Sequence, residues 1–457
     1  MRIAIVGTGY VGLTTGVCLA SLGHEVSCVD LLSERVDGIN RGESPFYEPG
    51  LAELLSAVLA EKKFSATTDL SKSVAEAEVV LITVGTPQAG QGIDLSYVAA
   101  AAGEIGRALK TSASYKTVVV KSTVVPGTTD TVVRNMVEEQ SGLRAGEFGL
   151  CMNPEFLREG SAIDDFMNPD RIVIGQGDER SGQALAEMYR SFDCPKIFTT
   201  NRNAEMIKYA SNALLATLIS FSNEVASVCE HTPETDIDVV MYGVHLDRRW
   251  SPIVNGERVT PGILSFLRAG CGFGGSCLPK DVNAFRAYAR EQNVTPHLLD
   301  AVVAVNAERP ERLAMIAEGA LGSLKGATVA ILGIAFKANT DDTRESPALA
   351  LIETLVARGA HVKAYDLMVR SLPATSLQVE LCQSPEEALS GADAAVVATA
   401  WPEFAEFDWE RLCASMRNQV VIDGRNLLSG VSWSAGVRYF GVGRMGRNGR
   451  VQTVSSS

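Results

Sequence analysis

The sequence predicts an α/β protein with two doubly wound domains joined by a long central helix. Over residues 1–200, β-rich runs alternate with helical patterns, as is typical of a parallel sheet wrapped by helices. The alternation returns after residue 325, and the stretch 203–232 between the two blocks contains neither glycine nor proline. A chain of 457 residues also exceeds what one hydrophobic core usually serves. We therefore expect domains over residues 1–200, 201–305 and 306–457.

The first block contains six strand candidates separated mostly by segments long enough to hold a crossover helix. These candidates are residues 2–6, 25–30, 79–84, 117–121, 149–152 and 171–175. From about Asn203 the pattern becomes continuously helical up to Pro233, which predicts a long helix between the domains.

The second block repeats the pattern with fewer strands. Residues 328–332 and 361–366 read as strands, and between them 346–358 reads as a helix that Gly359 ends. Residues 394–399 and 420–423 continue the sheet. The tail after Gly446 contains an Asn-Gly-Arg turn and three terminal serines, and we expect it to fray.

Composition excludes several classes of protein. The net charge is −13 and no run of Lys or Arg is present, so nucleic acid is not an expected partner. No apolar run approaches the roughly 18 residues of a membrane span, and the sequence enters a strand directly after Met1; we expect no membrane association and a cytoplasmic protein. Nine cysteines without a CxxC pair predict neither disulfides nor a metal site.

A glycine-rich motif follows the first strand and opens a helix. Gly7 suits a tight turn, Gly9 lets a pyrophosphate approach the backbone, and Gly12 permits close helix–strand packing. Asp30 ends the second strand, where a carboxylate accepts from ribose hydroxyls and repels a 2′-phosphate. The motif therefore predicts a Rossmann-like site for NAD rather than NADP, although Arg35, an arginine close to Asp30, slightly weakens the choice of NAD over NADP. The alternatives are a site for FAD and a glycine turn that serves packing alone. The loop containing Thr86 is either part of this ligand edge or simply a turn.

One cysteine has the setting of a nucleophile. Cys277 lies between a glycine-rich loop, residues 270–275, and a helix start marked by Pro279. A helix N-terminus and the neighbouring Lys280 would both favour a thiolate, and Asp281 lies one turn further on. A thiol is of no use in oxidising an alcohol to a ketone, but it can capture an aldehyde and pass through a thioester to an acid. The alternative is a buried thiol under a packing loop.

Polar residues elsewhere could support this chemistry. Lys208 and Asn212 are four residues apart on the predicted long helix, with Glu205 one turn before, and could stabilise an oxyanion; the alternative is a solvated surface pair. The segments 121–128 and 153–160 each follow a strand and should open at the ligand edge. Glu155 and Glu159 could instead be ordinary helix N-terminal charges.

Together these segments resemble the UDP-glucose/GDP-mannose dehydrogenase family, from Met1 to about Arg444. Besides the glycine motif, the similarity rests on residues 121–128, 153–160, 205–212, 272–281, 333–347 and 423–426. The resemblance implies NAD-dependent, four-electron oxidation of the C6 alcohol of a nucleotide sugar to a carboxylate. It also implies a helical dimerisation region around the central helix, and hence a homodimer or larger homo-oligomer.

The resemblance also implies roles for individual residues. Cys277 is the expected nucleophile, Lys208 and Asn212 stabilise oxyanions, Thr123 and Glu155 manage the hydrolytic water, and Asp281 orients water or proton transfer. The expected NAD contacts are Gly7, Gly9, Tyr10, Val11, Gly12, Asp30, Arg35, Thr86, Thr123, Glu159, Lys280 and Arg344. The expected substrate contacts are Glu155, Phe156, Leu157, Arg158, Lys208, Asn212, Phe266, Leu267, Arg268, Ala269, Gly270, Gly274 and Lys337.

The chain departs from the family pattern in one segment. Residues 251–262 intervene before the glycine loop where family members are shorter, which leaves open both an arginine contributed across a dimer and glucose as the sugar. UDP-glucose is the favoured substrate; GDP-mannose, TDP-glucose and a UDP-N-acetylhexosamine are alternatives within the class. A two-electron β-hydroxyacid dehydrogenase and a catalytically silent NAD-binding or sugar-sensing module are the alternatives outside it.

Overall fold

The computed structural model describes residues 1–90, 92–112, 114–372 and 378–444. The expected fraying of the tail after Gly446 lies outside these residues. The chain divides into two compact units. The first comprises Met1–Ser211 and Ala287–Gln292, and the second Asn212–Arg286 and Asn293–Ser457.

The first unit is built on an eight-stranded sheet with strand order β10-β9-β8-β7-β4-β1-β2-β3. A small antiparallel pair, β5–β6, lies outside it. The strands of this unit are β1 (Arg2–Val6), β2 (Glu25–Val29), β3 (Phe64–Thr67), β4 (Val79–Ile82), β5 (Gln88–Ala89), β6 (Gly92–Ile93), β7 (Thr117–Val120), β8 (Gly149–Met152), β9 (Ile172–Gln176) and β10 (Lys196–Thr199).

Helices cover both faces of this sheet. Ile3 and Ile5 of β1 belong to one hydrophobic core, whereas Ala4 and Val6 belong to another, because successive side chains of a strand point to opposite faces. The helices are α1 (Tyr10–Ser21), α2 (Ser33–Asn40), α3 (Leu51–Ala60), α4 (Leu70–Glu76), α5 (Ser96–Leu109), α6 (Arg134–Ser141), α7 (Ala162–Met167), α8 (Glu179–Met188) and the long α9 (Asn201–Cys229). A π-helical turn, Thr129–Val133, precedes α6. The prediction of an α/β fold with helices wrapped around a largely parallel sheet is confirmed.

One strand pair departs from the predicted parallel arrangement. β9 runs antiparallel to β8, while every other neighbouring pair in this sheet is parallel. The connection between β8 and β9 contains only α7, a six-residue helix that packs against α1. The chain therefore returns from the edge at which β8 ends instead of crossing to the opposite edge.

The second unit contains a six-stranded parallel sheet with the order β15-β14-β13-β16-β17-β18. The strands that follow α9 are β11 (Ile253–Val254), β12 (Glu257–Arg258), β13 (Thr328–Leu332), β14 (His361–Tyr365), β15 (Val379–Leu381), β16 (Ala394–Val397), β17 (Val420–Asp423) and β18 (Arg438–Gly441). The helices that follow α9 are α10 (Ile237–His245), α11 (Leu278–Glu291), α12 (His297–Ala307), α13 (Arg309–Leu321), α14 (Pro347–Ala357), α15 (Pro385–Leu389) and α16 (Trp409–Ala414), with 3₁₀ turns at Gly262–Phe266 and Pro402–Glu406.

The segment 251–262 folds into a β-hairpin of its own. β11 and β12 pair antiparallel around Asn255 and Gly256, which both have positive φ angles, 52° and 85°. This is the pattern of a type I′ turn, in which Asn-Gly is favoured. The Arg258 guanidinium ties the hairpin down by donating to the carbonyl oxygens of Leu246 and Ser251, at 2.7 and 2.9 Å. Among the described residues, no helix is both long and apolar enough to cross a bilayer.

Candidate active site

The glycine turn after β1 has the geometry that a pyrophosphate needs. Gly7 has φ of +105°, and a Cβ atom on Gly12 would lie 2.0 Å from the Gly7 carbonyl oxygen. A Cβ on Gly9 would meet no atom within 4 Å, so space is open beside it. Gly9 is the N-cap of α1 and no side chain caps this helix. The backbone N–H groups of its first turn are thus available to an anion.

Asp30 is held beside this turn by four hydrogen bonds. Its Oδ2 accepts from the amide and hydroxyl of Thr8, at 3.1 and 2.5 Å, and from Arg35 at 3.2 Å, while Oδ1 accepts from the Leu32 amide at 3.1 Å. Burial opposes ionisation, but these donors and the Arg35 charge outweigh it and keep the pKa of Asp30 below its usual value. Because Arg35 is paired with Asp30, a 2′-phosphate would meet a carboxylate there. These residues fit NAD.

Two threonines meet where neighbouring strands of this sheet end. Thr86 follows β4 and Thr123 follows β7, and the Thr86 hydroxyl donates to the Thr123 carbonyl oxygen at 2.9 Å. Since the carboxyl ends of parallel strands share one edge with the glycine turn, the loop of Thr86 lies at the predicted ligand edge.

Glu155 and Lys208 form a buried ion pair. Lys208 Nζ, on α9, lies 2.8 Å from Glu155 Oε1, and the two side chains are only 5% and 7% exposed. Glu155 Oε2 also accepts from the Leu157 amide at 2.7 Å. Burial would raise the pKa of Glu155, but the Lys208 charge and this hydrogen bond lower it overall. Lys208 is therefore not a solvated surface residue.

The rest of the segment 153–160 is anchored by a residue that sequence reasoning missed. Glu48, which is 5% exposed, accepts from the amides of Gly160 and Ala162, at 2.7 Å each, and from the Tyr10 hydroxyl. It therefore ties this segment to the glycine turn. No spacing rule would have identified Glu48, which lies between α2 and α3.

Two other residues of this segment, Arg158 and Phe156, also contact side chains of the protein. Arg158 forms a bidentate pair with Asp165, and the Phe156 ring stacks under the Arg171 guanidinium at 3.9 Å.

Cys277 differs from every other cysteine in the chain. It is exposed, whereas seven others are buried and Cys194 is intermediate. It directly precedes α11, and its carbonyl oxygen accepts from the Asp281 amide at 2.8 Å, as the first helical bond requires. The Ser276 hydroxyl oxygen lies 3.6 Å from its sulfur. The alternative of a thiol sealed beneath a packing loop is wrong.

The glycine loop before Cys277 is tightly packed. A Cβ on Gly274 would lie 2.1 Å from the Glu345 carbonyl oxygen, and one on Gly275 would lie 2.7 Å from the Phe336 ring. Three side chains that the sequence did not single out as site residues hold its backbone. The Asn306 amide group exchanges two hydrogen bonds with Phe273, and Arg309 and Arg425 donate to the Gly270 and Gly272 carbonyl oxygens. Asn306 and Arg309 lie three positions apart, a spacing that was visible but not distinctive.

Asn212 and Asp281 meet beside this loop. The Asn212 amide donates to Asp281 Oδ2 at 2.6 Å, and Lys280 Nζ lies 2.5 Å from Asp281 Oδ1. Asp281 is 1% exposed and Asn212 is 8% exposed. The Lys280 ammonium is thus engaged by its neighbour Asp281.

The remaining predicted ligand residues vary in exposure. Leu267 and Ala269 are buried, at 2% and 9% exposure, and offer only their backbone to a ligand, whereas Arg268 is exposed. The Arg344 guanidinium makes a bidentate pair with Asp342. Roles in cofactor or substrate binding for these residues, for Phe266 and for Lys337 stay predictions.

A glycine turn whose helix start is open to an anion, a carboxylate held beside that turn, and an exposed thiol after a glycine loop are together typical of a dinucleotide-dependent oxidoreductase. The sequence matches three models of one family, the UDP-glucose/GDP-mannose dehydrogenase family. Its NAD binding domain matches residues 1–193, its central domain 202–308 and its UDP binding domain 330–430. The chain belongs to this family and is an NAD-dependent nucleotide-sugar dehydrogenase.

Individual relatives cover nearly the whole chain. UDP-glucose 6-dehydrogenase YwqF of Bacillus subtilis is 40% identical over 97% of this chain and 98% of that protein. The solved structure of a UDP-glucose dehydrogenase from Pyrobaculum islandicum has a TM-score of 0.86 and 38% identity, over 97% of this chain and 98% of that one. A UDP-D-ManNAc dehydrogenase from Pyrococcus horikoshii has a TM-score of 0.82 and 31% identity, over 97% and 99%. The resemblance predicted from the motifs is confirmed.

Proposed function

We propose that the chain oxidises the C6 alcohol of UDP-glucose to the carboxylate, through a covalent intermediate on Cys277. The observation that supports the covalent step is the exposure of this thiol at the start of α11, directly after a constrained glycine loop. A two-electron β-hydroxyacid dehydrogenase would have no use for it. The UDP-glucose dehydrogenases among its relatives support the choice of sugar nucleotide.

The reaction consists of two oxidations and a hydrolysis. NAD supplies the hydride acceptor in each oxidation, so two NAD are reduced per substrate. The alcohol loses a hydride and its hydroxyl proton to become an aldehyde, and the Cys277 thiolate adds to C6 while the carbonyl oxygen takes up a proton, which gives a thiohemiacetal. Loss of a second hydride and of the hydroxyl proton converts the thiohemiacetal into a thioester. Water then adds to the thioester carbon, and the carbon–sulfur bond breaks to give the carboxylate and the free thiol.

The polar residues of the site have separate tasks in this scheme. Lys208 and Asn212 stabilise the oxyanion that develops when sulfur or water adds to C6. Thr123 and Glu155 hold the hydrolytic water, and Asp281, fixed by Asn212 and Lys280, orients water or proton transfer. Gly7 and Gly9 would let the backbone approach the pyrophosphate of NAD, Gly12 lets α1 pack closely enough for this, and Asp30 would hold the ribose.

The substrate assignment is tested by stoichiometry. Purified chain is incubated with NAD and with UDP-glucose, GDP-mannose, TDP-glucose or a UDP-N-acetylhexosamine, and NADH and acid are measured together. We expect two NADH per acid formed and the highest kcat/KM with UDP-glucose. A higher kcat/KM with another sugar nucleotide would move the assignment to that substrate, and one NADH per substrate would exclude the four-electron reaction.

The covalent step is tested at Cys277. We expect Cys277→Ser to abolish acid formation while leaving NAD binding unchanged, because the hydroxyl is a far weaker nucleophile than a thiolate at neutral pH. Cys194→Ser is the matched control, since Cys194 is the other cysteine that is not fully buried, and we expect it to keep wild-type turnover. Acid formation by Cys277→Ser at the wild-type rate would refute the covalent intermediate.

We further propose that the chain forms a homodimer through α9. Leu214, Phe221 and Val228 are 53%, 52% and 63% exposed, and their seven-residue spacing places them along one face of the helix. Such a row of large exposed apolar side chains is typical of a helix that packs against a second copy.

A further inference from the structure

A second buried lysine interacts electrostatically with both members of the Glu155–Lys208 pair. Lys121 directly follows β7 and is 4% exposed. Its Nζ donates to Asn153 Oδ1 at 2.9 Å and to the Tyr189 hydroxyl at 3.3 Å, and that hydroxyl donates to the same Asn153 oxygen at 2.7 Å. The Asn153 amide donates in turn to the Val173 carbonyl oxygen at 2.8 Å. Lys121 therefore fixes the residue with which the segment containing Glu155 begins.

Lys121, Glu155 and Lys208 form a cluster whose charges do not cancel. The Glu155 carboxylate lies 2.8 Å from Lys208 Nζ and neutralises its charge. Without a further cation, an oxyanion beside Lys208 would therefore meet a neutral ion pair. Within the described part of the chain, Lys121 has no carboxylate oxygen within 4 Å, and its contacts are an amide oxygen and a hydroxyl. The three side chains together thus have a net charge of +1. A buried charge without a counterion is costly, which indicates that its position serves a purpose.

We propose that Lys121 is a positioning residue that keeps the Glu155–Lys208 pair at a net positive potential and orients the turn from Asn153 to Leu157. Through this charge, Lys208 can stabilise an oxyanion although Glu155 is bound to it. The inference rests on the proposed function, since it assigns Lys121 a role in the hydrolytic half of that reaction. The charged and titratable groups that face Lys121 are Tyr189 after α8, Glu155 after β8 and Lys208 on α9.

The state of Lys121 changes within an accessible range of pH. Burial, and to a lesser extent the Lys208 charge, lower the pKa of Lys121 to about 8, while Glu155 opposes this shift. Above that pH the cluster loses its net charge. A variant with a neutral side chain at position 121 should therefore have the activity of the wild type in which Lys121 is deprotonated.

Lys121→Met is the test, and Lys116→Met is its matched control. Lys116 directly precedes β7 and is 3% exposed, but its Nζ donates to the Ala75 and Ala77 carbonyl oxygens at the opposite edge of the sheet. At pH 7 we expect Lys121→Met to lower kcat about 10- to 50-fold, the effect of removing one charge that acts over roughly 7 to 12 Å at an effective dielectric constant of about 20. KM for both substrates should stay within about twofold, and Lys116→Met should keep the wild-type kcat at this pH.

The pH dependence separates a charge effect from a packing effect. We expect the ratio of wild-type to Lys121→Met kcat to fall towards 1 above pH 9, because both side chains are then neutral and other titrations cancel in the ratio. Lys121→Arg, which stays charged, should exceed wild type above pH 9. This second variant keeps the test decisive if Lys121→Met does not fold.

Two results overturn the inference while leaving the proposed function intact. The first is that the wild type is active and that Lys121→Met and Lys116→Met have the same kcat. The second is that the ratio of wild-type kcat to Lys121→Met kcat does not change with pH. Failure of the wild type to form any acid would instead overturn the proposed function itself.

Discussion

Glu205 is a buried carboxylate that holds the segment after Thr123, one of the predicted site residues. It lies on α9, is 0% exposed, and accepts from the Gly127 and Thr129 amides at 2.5 and 2.8 Å. These amides belong to the segment that follows Thr123. Burial raises the pKa of Glu205 to about 7, and the hydrogen bonds from this segment only partly oppose that shift. Glu205 thus holds this segment with a carboxyl group whose pKa lies in the neutral range.

Substitution of Glu205 should change how stability depends on pH. Between pH 4.5 and 7 the unfolded carboxyl has lost its proton and the folded one retains it, so rising pH lowers the free energy of unfolding in this window. Relative to Glu205→Gln, the wild type should lose up to about 3 kcal/mol across this window, at about 1.4 kcal/mol for each pH unit.

Urea unfolding at a series of pH values measures this difference. Glu53→Gln, at an exposed position on α3, is the control and should show no comparable loss. A wild-type advantage over Glu205→Gln that grows with pH would contradict the argument, because it would mean that the two amide donors outweigh burial and keep Glu205 ionised.

At the scale of elements, the glycine loop before α11 should respond to a single methyl group. Gly275 and Gly322 have nearly the same positive φ, 85° and 84°, so alanine costs about 1–2 kcal/mol at either position. Only at Gly275 would the new Cβ clash, at 2.7 Å from the Phe336 ring, whereas at Gly322 it would meet nothing within 4 Å. The loop must then shift, and Cys277 with it.

We therefore expect Gly275→Ala to lower kcat about 100-fold, since misplacing a reacting group by about 1 Å has an effect of this size. Gly322→Ala should lose a similar amount of stability from its φ angle but keep kcat. Steady-state kinetics and thermal unfolding of the two variants measure this contrast. Equal kcat values would show that the Phe336 ring moves aside without disturbing Cys277.

The elements that the sequence predicted are those with a buried apolar run. β1, β8, β13 and β17 were predicted with their observed bounds, and Gly359, with φ of 86°, ends the helix α14 as expected. Of the strands in the two large sheets, β3, β10, β15 and β18 were missed. They are short strands at or beside the sheet edges with exposed positions, so they lack the continuous apolar signal. The reversed direction of β9 depends on how α7 packs, which no local pattern encodes.

The site shows the same division. Motifs with local chemical meaning singled out Cys277 and Lys208, but only the structure shows that Cys277 is exposed and that Lys208 is buried. The pairing of Lys208 with Glu155, and of Lys280 with Asp281, depends on which side chains share a buried space. Asn306 and Arg309 support the loop only because α12 and α13 pack against it. The ion pairs and the side chains that support the glycine loop depend on the tertiary structure, so neither composition nor residue spacing could have revealed them.

For the whole molecule, the row on α9 makes a prediction about assembly. In a two-fold dimer the same patch meets itself, so a charge at its centre would face its own copy in an apolar contact, where an unpaired carboxylate is strongly disfavoured. Phe221→Glu should therefore convert a dimer into a monomer at micromolar concentration. Tyr97→Glu is the control, because Tyr97 on α5 is an aromatic residue of similar exposure, 57% against 52%.

Sedimentation velocity of the full chain measures the outcome. We expect wild type and Tyr97→Glu to sediment as dimers and Phe221→Glu as a folded monomer, with its far-UV circular dichroism unchanged. Because the row continues through Leu214 and Val228, Val228→Glu should weaken the dimer less than Phe221→Glu, since it lies at the end of the patch. A monomeric wild type, or a Phe221→Glu variant that remains a dimer, would mean that the exposed row on α9 does not mediate self-association.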